Sequence, residues 1–198
     1  MLDTARAPPN RGRSPPRRTS AVRTSSTDES TGGTMSYTVP GLGQDEGRKV
    51  SEILQDRLNA FNDLHLTLKH AHWNVVGPNF IGVHEMLDPQ VELVRGYADA
   101  VAERIATLGG APIGVPGRST YQRPWDEYTL DKGTTLDHIA ALDKVYAGLI
   151  ASQRAAIADV GDIDPITEDM LIGQSAELEQ FQWFLRAHLE DAAGNVPS

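Results

Sequence analysis

Five residues between Lys69 and Arg104 carry donor atoms suited to a metal ion: His72, His84, Asp88, Asp99 and Glu103, spaced 12, 4, 11 and 4 residues apart. Imidazole nitrogen combined with carboxylate oxygen fits a divalent first-row ion such as iron, manganese or zinc, whereas calcium takes oxygen alone. The chain has no cysteine, which excludes thiolate metal sites, disulfides and cysteine nucleophiles. Chemistry at these five positions therefore rests on histidine and carboxylate.

The elements that must position them are helices. Leu54, Leu58, Phe61, His65, Leu68 and His72 recur at steps of four and three residues, which predicts a helix from about Asp45 to Asn74. His70, about 200° from His72 on that helix, is expected to face solvent or another surface. Gly77-Pro78-Asn79 makes a turn. Leu87, Val91, Val94, Ala98, Val101, Ile105 and Leu108 then predict a second helix from about Phe80 to Leu108, stopped by Gly109-Gly110. Pro89 either falls in its first turns or kinks it. Residues 109–133 form a long Pro- and Gly-bearing connection, of a length that usually has a purpose. A third helix is expected over Thr134–Val160, with Leu136, Ile139, Leu142, Val145, Tyr146, Leu149 and Ile150 apolar. A fourth begins at Asp164, an N-cap followed by Pro165 at the first helical position, and runs to about Asp191. No strand signal competes. The expectation is an all-α, ferritin-like four-helix bundle over residues 41–192, with the long crossover between helices 2 and 3 and a short tail at 193–198.

Helical arithmetic then constrains the site. With His84 at 0°, Asp88 falls at about 40°, Asp99 at about 60° and Glu103 at about 100°, all on one stripe. Along the axis, however, the His84/Asp88 and Asp99/Glu103 pairs are centred about 22 Å apart. Ligands must approach to about 2.0–2.2 Å, so one straight helix cannot bring both pairs to one ion. A second copy of the helix, antiparallel across a two-fold axis, would set Asp99 and Glu103 of one chain opposite His84 and Asp88 of the other, with His72 completing the histidine side. The chain contains no Glu-x-x-His, the motif of di-iron centres inside a bundle core. An intersubunit site is expected.

The motifs Ala71-His72-Trp73-Asn74, Gly77-Pro78-Asn79-Phe80, Val83-His84-Glu85-Met86-Leu87-Asp88, and Asp99 with Ala102-Glu103-Arg104 resemble the signature of the Dps family (DNA-protection-during-starvation proteins, or mini-ferritins). Phe181-Gln182-Trp183-Phe184 fits as well, and the likeness covers roughly residues 36–192, beginning at Met35-Ser36-Tyr37-Thr38-Val39-Pro40. The resemblance implies a hollow homododecamer with two-fold and three-fold interfaces and ferroxidase centres at the two-folds. At most two iron ions would occupy each centre, held by His72, His84 and Asp88 of one subunit and Asp99 and Glu103 of its mate. It implies oxidation of Fe(II), preferably by hydrogen peroxide but also by oxygen, storage of ferric mineral, and protection of DNA from oxidative damage. Trp73 matches an aromatic beside the centre that is thought to quench radicals, and Lys69 has a supporting place. Acidic residues near the start of the last helix line iron pores in the family, which makes Asp162, Asp164, Glu168 and Asp169 pore candidates. The same four acids would also favourably meet the positive end of a helix dipole.

Other residues have plainer expected roles. His65, His138 and His188 are read as structural, although His65, one heptad before His72, could support the site. Arg95 is expected to pair with a carboxylate across the interface, and Trp183 and Phe184 to be core aromatics. Charge is uneven. Six arginines against three acids give residues 1–34 a net +3, leaving -12 for the rest of the -9 total. The first 40 residues, rich in Pro, Arg, Ser and Thr, are expected to be disordered. Met35 offers an alternative start. Weak, non-specific DNA binding would fall to residues 1–34 and weaken steeply with salt, because the body is acidic and the C-terminus lacks basic residues. No apolar run reaches membrane-spanning length and no signal peptide or credible twin-arginine signal is visible, so a cytoplasmic, membrane-free protein is expected. Two function classes remain: an iron-oxidising, iron-storing enzyme, or a nucleoid-binding structural protein with an incidental metal site.

Overall fold

Asp45 and Glu46 stand in the first turn of the opening helix, where their charge favours the helix dipole, and the Glu46 carboxylate reaches back to the Gly43 N–H at 2.8 Å. From that start, helix α1 runs unbroken over Gln44–Asn74. The computed structural model describes residues 38–118 and 121–191, together with 193 and 195; of the tail expected at 1–40, residues 1–37 lie outside the described residues. Residues 33–198 cluster as one unit. Helix α2 follows over Phe80–Thr107, α3 over Thr135–Gly161 and α4 over Pro165–Leu189. The four expected helices are present, each within two residues of its expected ends.

Short turns join α1 to α2 and α3 to α4, so each pair packs as an antiparallel hairpin. The first turn needs left-handed backbone at Gly77 (φ 97°) and Asn79 (φ 61°). Glycine takes that conformation without strain and asparagine tolerates it. Pro89 is the tenth residue of α2, so the first-turn placement fails; the helix continues through it. Its ring lies on the exposed face, where water can satisfy the Glu85 carbonyl that lacks a partner N–H. Asp164 caps α4, accepting from the Ile166 N–H with Pro165 at the first position, as its sequence predicts.

The long connection has a clear task. Helix α2 ends about 42 Å from where it began, and α3 starts beside the α1–α2 turn, so the chain must travel back the length of the bundle. It does so alongside α1. Gln55 accepts from the Ile113 N–H at 2.8 Å and donates to the Ile113 carbonyl at 3.0 Å. Asp63 pairs with Arg123 at 2.7 Å, and His70 meets the Leu130 carbonyl at 2.9 Å. Of the two surfaces expected for His70, solvent or another part of the fold, it takes the second, as a half-buried anchor of the crossover. Contrary to the sequence reading, a minimal parallel strand pair closes the path: Val75–Val76 (β1) lies against Gly133–Thr134 (β2), with Val75 opposite Gly133. Two residues per strand are too few to leave a periodic signal.

The core forms from all four helices. On α1 the buried stripe includes Leu64 and Ala71, while His65 is only half-buried, so the expected inward face is rotated slightly. Trp183 is 59% exposed, which corrects its core assignment, and Leu136, among the apolar residues of α3, is 55% exposed. Leu171, Leu178 and Leu185 hold the α4 seam instead, at heptad spacing. Buried Tyr146 donates to the Gln90 side chain at 2.8 Å, which satisfies its hydroxyl inside the core.

Gly148 of α3 leaves room for the crossover's Trp125. A Cβ there would collide with the Trp125 Cβ and come within 2.7 Å of its Cγ. Gly148→Ala is expected to destabilise the fold by about 1–3 kcal/mol through overpacking. A lowered thermal midpoint with displaced Trp125 fluorescence would show it; a wild-type midpoint would mean that the indole moves aside freely.

Candidate metal centre

Two of the expected ligands are brought together by the α1–α2 hairpin. His72 lies in the last turn of α1 and His84 in the second turn of α2, their rings stacked with centroids 3.6 Å apart. Each ring is tied to the other residue's backbone: His72 Nδ1 lies 2.9 Å from the His84 carbonyl, and His84 Nδ1 lies 2.9 Å from the His72 carbonyl. A carbonyl oxygen can only accept, so each Nδ1 carries the proton and each neutral ring keeps its lone pair at Nε2. That is the tautomer a metal-binding histidine requires, with its other nitrogen already oriented.

Asp88 stands one turn beyond His84, its side chain 52% exposed. Lys69 Nζ donates to Asp88 Oδ1 at 3.0 Å, and His72 Nδ1 is 3.3 Å from the same oxygen. The Lys69 hydrogen bond first of all, together with the Lys69 charge, holds the Asp88 carboxyl below its usual range. Lys69 also sits 5.9 Å from the centroid of the Trp73 ring. Trp73 itself is 69% exposed, next in sequence to His72.

Asp99 and Glu103 point to solvent farther along the same unbroken α2. The structure does not bring them to His72, His84 and Asp88. Among the described residues, no three His, Asp or Glu side chains of the single chain are grouped to hold a metal ion. Arg95, on the intervening stretch, pairs with Glu92 of its own helix at 2.9 Å within the single chain.

The four acids around the start of α4 divide. Asp164 is buried, and its carboxylate accepts from Arg104 Nη2 at 2.6 Å and from Thr167 Oγ1, besides capping Ile166. It is committed to holding α2 against α4. Asp162 and Asp169 are exposed and Glu168 half-buried. Elsewhere, His138 is fully buried with Nδ1 2.5 Å from the Tyr128 hydroxyl, and His188 bonds the Phe184 carbonyl at 2.8 Å, both structural as expected. Burial, first of all, holds His65 below its usual pKa.

Sequence reasoning did not find the Lys69–Asp88 pair or the mutual histidine–carbonyl ties. Both depend on the relative height of α1 and α2, which the turn sets and periodicity does not encode. The Gly77-Pro78-Asn79 spacing was the only available signal.

A bundle of two helical hairpins with a long crossover is the ferritin-like architecture, and the model of the ferritin-like domain matches residues 51–194. The DNA protection during starvation protein of Mycolicibacterium smegmatis is 58% identical over 161 residues, covering 81% of this chain and 88% of that protein. A solved structure of DpsA14 from Streptomyces coelicolor superposes with a TM-score of 0.81 at 54% identity, over 84% of this chain and 99% of that one. The fine tangled pili major subunit of Haemophilus ducreyi is also similar, 49% identical over 160 residues, or 81% of this chain and 85% of its own. The chain belongs to the Dps family.

Proposed function

We propose that this protein is a ferroxidase and iron store that assembles as a homododecamer, oxidises Fe(II) at its two-fold interfaces and holds the ferric product as mineral. The observation that carries the reading is the pair of stacked histidines with both Nδ1 protons tied to carbonyls. Fe(II) is the substrate. His72 and His84 offer Nε2, Asp88 offers an exposed carboxylate, and Asp99 and Glu103 of a second subunit supply the remaining oxygens. At most two ions share this ligand set. Carboxylate ligands favour Fe(III) over Fe(II), which drives the oxidation.

Two Fe(II) ions deliver two electrons to one hydrogen peroxide; with two protons taken up, two waters and two Fe(III) result. Paired delivery releases no hydroxyl radical, and oxygen is the slower alternative oxidant. Trp73, exposed beside His72, is placed to intercept an escaping radical. Removing Fe(II) and peroxide together protects DNA. The exposed acids Asp162 and Asp169, with Glu168, are the better pore candidates, because Asp164 is occupied as a cap. Among the described residues no helix is long and apolar enough to cross a membrane, in keeping with a cytoplasmic role. The alternative, a nucleoid-binding structural protein, rests on the six arginines of residues 1–34 alone, and leaves the ordered histidines without a task.

Subunit mixing tests the divided site. His84→Ala chains and Asp99→Ala/Glu103→Ala chains should each oxidise Fe(II) slowly. Co-assembled from a denatured mixture, they should regain a substantial fraction of wild-type rate, because some interfaces pair the two intact halves. Failure of mixed shells to recover any activity would place the site within one chain.

A further inference from the structure

Arginines of this fold nearly all face a carboxylate. Arg48 pairs with Asp45, Arg95 with Glu92, Arg104 with Asp164, Arg123 with Asp63, Arg154 with Glu179 and Arg186 with Asp143. Among the described residues, Arg57 and Arg118 have no carboxylate at ion-pair distance, in a chain with 27 acidic residues. Both line one cavity of about 490 Å³ between α1, α3 and the crossover.

Arg57 is 5% exposed. Its Nη2 donates to Ser152 Oγ at 2.6 Å, while Nε and Nη1 are buried without a hydrogen-bond partner. Burial lowers its pKa from the usual arginine value, against the opposing pull of Tyr121 and Asp56. A buried guanidinium with two unpartnered nitrogens and no carboxylate at ion-pair distance is costly, and such a group calls for an explanation beyond packing. Asp56 is the one carboxylate in the cavity wall, against two arginines and the amides of Gln55, Asn59 and Gln122. Gln55 is already engaged with Ile113, which fixes the crossover as the cavity's far side.

We propose that this cavity is a binding site for a small phosphate-class oxyanion, held by the charges of Arg57 and Arg118. A guanidinium's several planar donors match the oxygens of such an anion, and the partly buried setting strengthens the attraction. The site lies on α1, α3 and the crossover. It uses none of the residues assigned to iron oxidation, and its ligand would be either free phosphate or a phosphate monoester.

Titration calorimetry on the full-length, iron-free protein at low ionic strength tests this, with inorganic phosphate as one probe and adenosine monophosphate as the other. Saturable binding of either probe is expected, weakened at least tenfold in Arg57→Gln and several-fold in Arg118→Gln. The tighter probe identifies the source. Arg118 is exposed, so its variant keeps the test sound if Arg57→Gln disturbs packing. The arginines of residues 1–34 are present in every variant and do not contribute to the differences. No saturable binding to the wild type, or wild-type affinity in both variants, overturns the proposal.

Discussion

Replacing His84 with alanine is expected to slow initial Fe(II) oxidation by on the order of 100-fold, the loss typical of disturbing a metal-ligand set, while leaving an assembled shell. The variant loses an Nε2 donor and the ring stacked on His72 at 3.6 Å, while the tie from His72 Nδ1 to the residue-84 carbonyl remains. It does not open the core, because His84 is only half-buried while neighbouring Val83 and Leu87 are fully packed. Stopped-flow absorbance after anaerobic Fe(II) loading and peroxide addition reads the rate, and size-exclusion chromatography reads assembly. Wild-type kinetics in His84→Ala would remove the histidine pair from the reaction. Loss of the shell along with activity would mean that this surface is needed for assembly first.

The second large effect is on stability. Asp164→Ala is expected to destabilise the fold by about 3 kcal/mol, because it strands a largely buried Arg104 and removes the α4 cap together. For a domain of this size that corresponds to a thermal midpoint lower by roughly 6–12 °C. Asp164→Asn keeps a capping oxygen but not the charge, so it should lose less, and the difference between the two isolates the cap. Burial alone would raise the Asp164 pKa, but the Thr167 and Arg104 hydrogen bonds, the Arg104 charge and the Ile166 amide outweigh it and leave the pKa lowered. A lowered folded pKa gives stability that is fully present above the ordinary aspartate value of 3.8. That stability is lost as pH falls through the folded value. Acid unfolding should therefore be less steep in Asp164→Asn than in the wild type. Wild-type stability in Asp164→Ala, with slower iron uptake, would instead return this carboxylate to a pore.

Much of this architecture is written in local patterns. The 4-3 steps of Leu87 to Leu108 and the Asp164-Pro165 cap specify helices through contacts within a few turns. The rigid rise of α2 lets sequence arithmetic separate Asp88 from Asp99 without coordinates, because an unbroken helix has a fixed length. Where the local pattern left alternatives open, a distant partner decides the outcome. His70 turns toward the crossover because the Leu130 carbonyl lies there. Trp183, expected in the core, is 59% exposed, because helical periodicity does not say how much of an apolar face the other helices cover. The β1–β2 pair and the placement of Arg57 beside Ile113, Arg118 and Gln122 arise only when the crossover lies against α1.

That crossover also bears on how the chain reaches its native state. Each hairpin, α1 with α2 and α3 with α4, joins residues close in sequence, so both can form rapidly and on their own. Bringing the halves together requires closing a loop of about 27 residues, whose entropy is lost before the long-range contacts reward it. The sequential ties at Ile113, Arg123 and Leu130 lessen that barrier by shortening the free loop each time one forms, so the connection closes like a zip along α1. The last steps of that closure, at Leu130 and the Val75–Gly133 pair, come beside His72. The histidine pair itself needs only the first hairpin, and so its geometry is available early, before the second half of the protein has docked.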